Sequence, residues 1–402
     1  MNCSEKLTTR HHGFHLMAKP CGPTCNLRCS YCFYCEKEQF FPKGRPFRMS
    51  DQVLESYINQ YIAAQPGSEV VFDWQGGEPT LAGIDFFQQA LDLQKKYAQG
   101  KQISNTLQTN GTKIDEAWCR FLTRNSFLVG LSMDGPEEIH NACRLDAAGN
   151  PTFSSVLSAL KLMQEHGVEF NILATVNRLN ARHPLEVYRF FRQHDVHYLQ
   201  FIPIVEQADE QTATVTDYSV ESKQYGAFLT QIYQEWIQHD VGKMFVMNFE
   251  WALAAWADTG SGVCYLAPHC GRNLILEHNG DIFSCDHFMY PAYRLGNLQD
   301  EGGLQQIIHS GRQDNFGAAK ETSLPECCRL CDFLFACHGG CPKHRFNRTP
   351  DGKPGLNYLC EGIKSFYQQA KPSMQQMLEL IHKGVPVYTI MELNGSQLTS
   401  LH

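Results

Sequence analysis

The sequence predicts an α/β protein, a partial (β/α)6 barrel followed by a C-terminal cysteine-rich domain. Three observations carry this expectation. Short β-rich runs alternate with amphipathic helical segments, the signature of parallel βα units. Six such units precede residue 206, two short of a closed barrel. The 17 cysteines of the 402-residue chain gather at either end of this scaffold, five in residues 21–35 and nine from Cys264 to Cys360.

Strands are expected near residues 13–19 (GFHLMAK), 69–74 (EVVFDW), 102–108 (QISNTLQ), 127–133 (FLVGLSM), 168–176 (VEFNILATV) and 197–205 (HYLQFIPIV). Between them, Phe86, Ala90, Leu91 and Leu93 of DFFQQALDLQKKYA fall near helical spacing, and VYRFFRQH repeats the pattern before the last strand. The expected organisation is a barrel over residues 1–240, a cysteine-rich domain over 241–370 and a C-terminal helix and tail over 371–402.

Composition narrows the function. At 43% hydrophobic residues the chain can bury one large core with a satellite domain. No segment approaches the length of a transmembrane helix, and the first twenty residues lack a signal-peptide core, so a cytoplasmic protein without a membrane partner is expected. In that reducing compartment, so many cysteines favour metal or catalytic chemistry over disulfides. A net charge of −8 argues against a nucleic-acid partner.

In such barrels the reactive groups sit at strand carboxyl ends. The exits here read WQGGEPT, TNGT and SMDGP. TNGT by itself reads as a turn. In WQGGEPT, Gly76 and Gly77 let backbone approach a ligand closely while Glu78 supplies an anion, an edge suited to an ammonium group.

The stretch CGPTCNLRCSYCFYC holds one usable frame. Cys25, Cys29 and Cys32 satisfy Cys-x3-Cys-x2-Cys, whereas the same frame begun at Cys21 needs a cysteine where Arg28 stands. Three thiolates on an iron–sulfur cluster leave one iron open to a ligand. A zinc knuckle from Cys29, Cys32 or Cys35 plus a histidine is the alternative. Downstream, Cys264, Cys270, Cys285, Cys328, Cys331, Cys337, Cys341 and Cys360 make eight, enough to close two four-coordinate sites of iron–sulfur or zinc type. The doublet Cys327-Cys328 leaves the ligand at that position open. Cys3, Cys21, Cys35, Cys119 and Cys143 receive no role beyond that of small apolar residues.

Cys25-Asn-Leu-Arg-Cys29-Ser-Tyr-Cys32, followed by Gly76-Gly77-Glu78-Pro79 at the end of the next strand, resembles the radical S-adenosylmethionine superfamily. The resemblance implies a 4Fe-4S cluster on the three cysteines, S-adenosylmethionine on its fourth iron, and reductive cleavage to a 5'-deoxyadenosyl radical. It also implies cofactor contacts at Tyr31, Gly76, Gly77, Glu78, Ser132, Arg144 and Val205. Tyr31 lies beside the cluster, Gly77 at the methionyl end, Ser132 and Arg144 at ribose and carboxylate, and Val205 against adenine. The later cysteines resemble the SPASM extension of peptide-modifying radical enzymes. That likeness implies one auxiliary 4Fe-4S cluster on Cys264, Cys270, Cys285 and Cys341 and another on Cys328, Cys331, Cys337 and Cys360, three clusters in all.

Over nearly the whole chain, KPCGPTCNLRCSYCFY, FDWQGGEPTLAG, LQTNGT, LVGLSMDGPEEIHN, LQFI and the SCD segment resemble the anaerobic sulfatase-maturating enzymes. These oxidise a Cys or Ser of a sulfatase to Cα-formylglycine. The resemblance implies Asp286 as general base, Tyr34 and Gln75 facing the substrate, a sulfatase polypeptide carrying Cys/Ser-x-Pro-x-Arg as partner, and an electron donor such as flavodoxin or ferredoxin. A carboxylate near buried clusters is expected to have a raised pKa. One rival is a SPASM-type maturase forming a thioether or other crosslink in a ribosomal peptide. It shares every cluster ligand, but is expected to need a leader-recognition domain for which a first strand near residue 13 leaves no room. The other is a non-catalytic zinc-binding interaction protein.

Overall fold

The structure, a computed structural model, describes residues 13–41, 47–209, 214–260 and 262–393; Cys3 and the side chain of Cys35 lie outside that set. Six parallel strands stand where the sequence places them: β1 His15–Lys19, β2 Glu69–Trp74, β3 Gln102–Thr109, β4 Leu128–Ser132, β5 Phe170–Val176 and β6 Tyr198–Pro203. Along β2, Val70, Phe72 and Trp74 are buried and alternate with more exposed positions on the opposite face. The helix Asp51–Ala64 covers this face with Val53, Leu54, Tyr57, Ile58, Tyr61 and Ile62, spaced three and four apart. Ser50 starts that helix by accepting a hydrogen bond from the Val53 backbone N–H at 3.3 Å. Tyr57 and Phe87 meet Trp74 edge-on, with centroids 5.8 and 5.6 Å apart.

The sheet does not stop at six strands. β7 (Phe245–Val246) extends it past β6, while β8 (Asn273–Glu277) pairs in parallel with β1 and is followed by antiparallel β9 (Asp281–Phe283) and β10 (Arg294–Asn297). One ten-stranded sheet therefore runs β10-β9-β8-β1-β2-β3-β4-β5-β6-β7. The cysteine-rich region grows out of the barrel sheet and is joined to it along β1. Leu274, Ile275 and Leu276 of β8 are all buried, as expected for a strand covered on both faces.

The C-terminal helix also differs from expectation. It spans Cys360–His382, so the boundary expected at 370/371 falls in its interior, just before Pro372. The helix lies close along Ser222–His239 because Gly362 has no side chain: a Cβ there would stand 1.8 Å from the Ser222 carbonyl oxygen. That contact fixes the start of the helix, and with it Cys360, against the barrel.

Candidate active site

The carboxyl ends of β1 to β6 open into a cleft of about 1110 Å³, its mouth included. Cys25, Cys29 and Cys32 line it together with Tyr31 and Tyr34 from the same loop. Gln75, Gly76 and Gly77 enter from the end of β2, Ser132 and Arg144 from β4 and the segment beyond it, and Val205 from beyond β6. Asp286 comes from the distant cysteine-rich region. All the site residues expected in the barrel therefore share one cavity with Asp286, except Glu78.

Glu78 is fully buried and turned away from the cleft. Its carboxylate accepts from the Thr80 N–H and hydroxyl (3.0 and 2.6 Å), the Thr109 hydroxyl (2.7 Å) and the Asn110 N–H (2.7 Å). Burial lifts the Glu78 carboxyl above its usual range, although all four bonds oppose the rise. The expected anion for an ammonium group is thus spent on tying the β2 exit to the β3 exit. The glycines beside it serve chain contact as well. The Gly77 N–H donates to the Gly22 carbonyl at 2.8 Å, and a Cβ on Gly77 would lie 2.0 Å from the Thr24 carbonyl oxygen. The β2 exit and the cysteine loop are fastened backbone to backbone.

A second network surrounds Asp134 of SMDGP, which is completely buried. Arg144 donates to both of its oxygens (2.9 and 3.2 Å), the Thr175 N–H donates at 3.0 Å, and the Tyr31 hydroxyl donates as well. Burial alone would raise this carboxyl, yet the Arg144 guanidinium holds it below its usual range. Ser132 accepts from the Gln108 side-chain amide at 2.9 Å. Arg144 and Tyr31 are thereby held as one rigid unit against the cleft.

Asp286 begins a short 3-10 turn directly after Cys285. Its Oδ1 lies 2.5 Å from Nζ of Lys19, the last residue of β1. Burial pushes its carboxyl up, but Lys19, His287 and Lys343 outweigh that, so its pKa is lowered and the expectation of a raised one is corrected. Tyr34 offers the cleft its ring, since its hydroxyl donates to Glu277 at 2.5 Å. Lys19, His287 and Lys343 all line the cleft and were not singled out in the sequence. Their available signals were a lysine ending an apolar strand and the neighbours of Asp286 and Cys341.

The wall fits the groups that the cysteine motif implies. Burial pushes the Cys25 and Cys29 thiols up to about 11 and 12, a cost that bonding to iron removes. The Cys25 sulfur already receives the Leu27 N–H at 3.3 Å and the Asn110 amide at 3.7 Å, donors that suit a thiolate. Two buried polar atoms of cleft-lining residues, Thr175 Oγ1 and His287 Nδ1, have no hydrogen-bond partner among the described residues. Unpartnered buried atoms of this kind are rare without a ligand or water.

The later cysteines form two groups. Cys328, Cys331, Cys337 and Cys360 line a cavity of about 780 Å³ with Phe333 and Tyr367; Cys327 lines it too, so the choice within the doublet stays open. Cys264, Cys270, Cys285 and Cys341 form the other, close enough that Cys341 and Cys264 add to the burial that raises Cys285, and Cys264 and Cys270 act likewise on Cys341. The turn His338-Gly339-Gly340, left-handed throughout (φ 45°, 71° and 64°), separates Cys337 from Cys341 and sends them to different groups. Lys320, 1% exposed, donates to the carbonyls of Cys264, Tyr265 and Ala267 and so shapes the loop carrying Cys264. No three His, Cys, Asp or Glu among the described residues gather at single-ion spacing. Cys21, Cys119 and Cys143 are buried.

Comparison with known proteins agrees with this geometry. Residues 20–191 match the Radical SAM superfamily and residues 268–332 the SPASM iron-sulfur cluster-binding domain. The chain is 44% identical over 398 residues, 96% of each protein, to a serine-type anaerobic sulfatase-maturating enzyme of Bacteroides thetaiotaomicron. It is 36% identical over 362 residues to a cysteine-type anaerobic sulfatase-maturating enzyme of Clostridium perfringens, covering 89% of this chain and 96% of the relative. A solved structure described as native anSMEcpe with bound AdoMet and Cp18Cys peptide superposes with a TM-score of 0.83 at 35% identity, covering 91% of this chain and 99% of that one.

Proposed function

The chain belongs to the anaerobic sulfatase-maturating enzymes of the radical S-adenosylmethionine superfamily, and from that membership we propose that it oxidises a Cys or Ser of a sulfatase to Cα-formylglycine with Asp286 as the base. The observation that carries the residue assignment is that Asp286, from the loop after Cys285, lines the same cleft as Cys25, Cys29 and Cys32. In this reading the barrel through about residue 240 holds the radical chemistry, and residues 241–370 hold the two auxiliary clusters. Cys25, Cys29 and Cys32 would hold one 4Fe-4S cluster; Cys264, Cys270, Cys285 and Cys341 a second; and Cys331, Cys337 and Cys360 a third with Cys328 or Cys327.

When bound, S-adenosylmethionine and the clusters supply a 5'-deoxyadenosyl radical that takes one Cβ hydrogen atom, and an acceptor for one further electron. The chain's own residues do the remaining work. Arg144, braced by Asp134, and Ser132 would hold the cofactor's carboxylate and ribose, and Val205 would meet its adenine. Gly76 and Gly77 would offer backbone to its methionyl end. Gln75 and the Tyr34 ring face the target side chain. Asp286, ionised at neutral pH because its pKa is lowered, accepts the hydroxyl or thiol proton through the oxygen that Lys19 does not hold. Hydrogen atom, proton and electron together make up the two-electron oxidation of the alcohol to an aldehyde, or of the thiol to a thioaldehyde that water hydrolyses. Flavodoxin or ferredoxin is the proposed electron donor and the cytoplasm the proposed location. No helix among the described residues is long and apolar enough to cross a membrane.

The test is Asp286→Asn with peptides carrying Cys-x-Pro-x-Arg or Ser-x-Pro-x-Arg under anaerobic conditions. Deoxyadenosine is expected to persist while formylglycine falls about 100-fold or more, the scale of a lost general base. Unchanged formylglycine removes Asp286 from the role.

A further inference from the structure

We propose that Lys19 is a positioning residue for this oxidation: it clamps one oxygen of Asp286 and leaves the other toward the substrate. The inference rests on Asp286 as base and assigns the group that holds that base in place.

Lysine is almost never fully buried unless paired. Lys19 is 1% exposed and lies at the carboxyl end of β1, on the wall of the cleft. Its Nζ stands 2.5 Å from Asp286 Oδ1 and 3.8 Å from the centre of the Tyr34 ring. Behind the ring, the Tyr34 hydroxyl donates at 2.5 Å to Glu277, which is completely buried and stands opposite Lys19 where β1 and β8 pair. The ammonium is thus fixed from below by an aromatic face and in register by the sheet.

Asp286 needs such an anchor. It begins a three-residue turn whose N-terminal neighbour is Cys285 and at whose start no side chain makes a capping hydrogen bond. Among the described residues, Lys19 is the one hydrogen-bond partner found for its carboxylate, on Oδ1. With that oxygen held, rotation about the side chain is arrested and Oδ2 has a defined direction. A base misplaced by about 1 Å loses up to about 100-fold in rate, so this anchor carries a kinetic consequence separate from folding. It also spans the molecule: β1, which leads into Cys25, meets the loop that follows Cys285.

The experiment uses the reconstituted full chain as wild type and as the variants Lys19→Met and Lys19→Arg, with the same two peptides. Deoxyadenosine, formylglycine, peptide KM and iron per chain are read together. Lys19→Met is expected to keep its iron, to cleave S-adenosylmethionine within about twofold of wild type and to hold KM within about threefold, while formylglycine per deoxyadenosine falls about tenfold or more. Lys19→Arg, which keeps the cation, is expected to restore more than half of that coupling. A merely structural lysine would lower iron and both products together and leave their ratio unchanged; that result overturns the proposal. If Lys19→Met does not retain iron, Lys19→Gln, which removes the charge but keeps a polar head, decides: a lowered ratio of formylglycine to deoxyadenosine at full iron content supports the clamp, and an unchanged ratio overturns it. Wild-type protein with full clusters and no formylglycine from either peptide overturns the functional reading, and this inference with it.

Discussion

The barrel cleft and the cysteine-rich region present the same ligand type in opposite ways. In the barrel, the loop from Cys25 to Cys32 rests on structure that stands without metal: the β1–β2 ladder, the Gly77 contact with Thr24, and the buried Asp134–Arg144–Tyr31 unit. Between Cys264 and Cys360, apart from the strands β8 to β10 that join the barrel sheet, the elements are mostly short helices and turns, and five cysteines line one cavity there. In one region the scaffold carries the cysteines; in the other the cysteines are part of the scaffold. Identical chemistry therefore has different consequences for folding.

The largest effect that separates the regions is removal of a ligand. Cys337→Ala is expected to open residues 264–360 to limited proteolysis and to lower the yield of soluble protein, since a structural metal site contributes on the order of 10 kcal/mol to a small domain. Cys29→Ala is expected to leave the proteolysis pattern and circular dichroism near wild type while abolishing deoxyadenosine formation. Equal proteolytic damage from both variants would break the contrast.

Next in size is Asp134→Asn, which strips the buried Arg144 of its counter-charge. A loss of about 3–5 kcal/mol in urea unfolding is expected, with weaker S-adenosylmethionine binding by calorimetry. The pH dependence has a definite sign. The folded Asp134 pKa lies below its unfolded value, so the pair's stabilisation is complete above pH of about 4 and is lost as pH falls through the folded value. Wild type should show that acid loss below about pH 4, and Asp134→Asn should not.

Smaller again is Gly77→Ala. Its new Cβ would sit 2.0 Å from the Thr24 carbonyl and force the cysteine loop off the β2 exit, at about 1–3 kcal/mol, read as a lower melting temperature. At the bottom of the scale, Cys21→Ala removes a buried sulfur whose polar contacts are a 4.0 Å approach to the Pro79 carbonyl and the Ala82 backbone N–H. A change under about 1.5 kcal/mol and unaltered iron per chain are expected.

Much of the barrel was legible because its signals are local. Each strand announced itself by a β-rich run, and strand exits marked by glycine and polar residues lead to the cleft. The grouping of cysteines into two auxiliary sets came from resemblance, since spacing alone allowed several pairings. What stayed hidden depends on distant partners. Lys19 reads as the end of a strand until Asp286, 267 residues later, is brought to its Nζ. Glu78 looked like a ligand group because an anion beside two glycines suggests one, but Thr109 and Asn110 of the next βα unit consume it. β8 was missed because its apolar run lies beyond the alternating βα pattern and pairs with the first strand of the barrel.

That last pairing carries a consequence for synthesis. β1 emerges from the ribosome first, yet its β8 partner ends at Glu277, 258 residues after Lys19. At about 5–20 residues per second the edge of β1 waits roughly 13–50 s for its neighbour. Throughout that interval a hydrogen-bonding edge and the Cys25 loop beside it stand open to aggregation and oxidation. A strand made late therefore closes the first one, and until β8 is made that edge of β1 has no partner in the sheet.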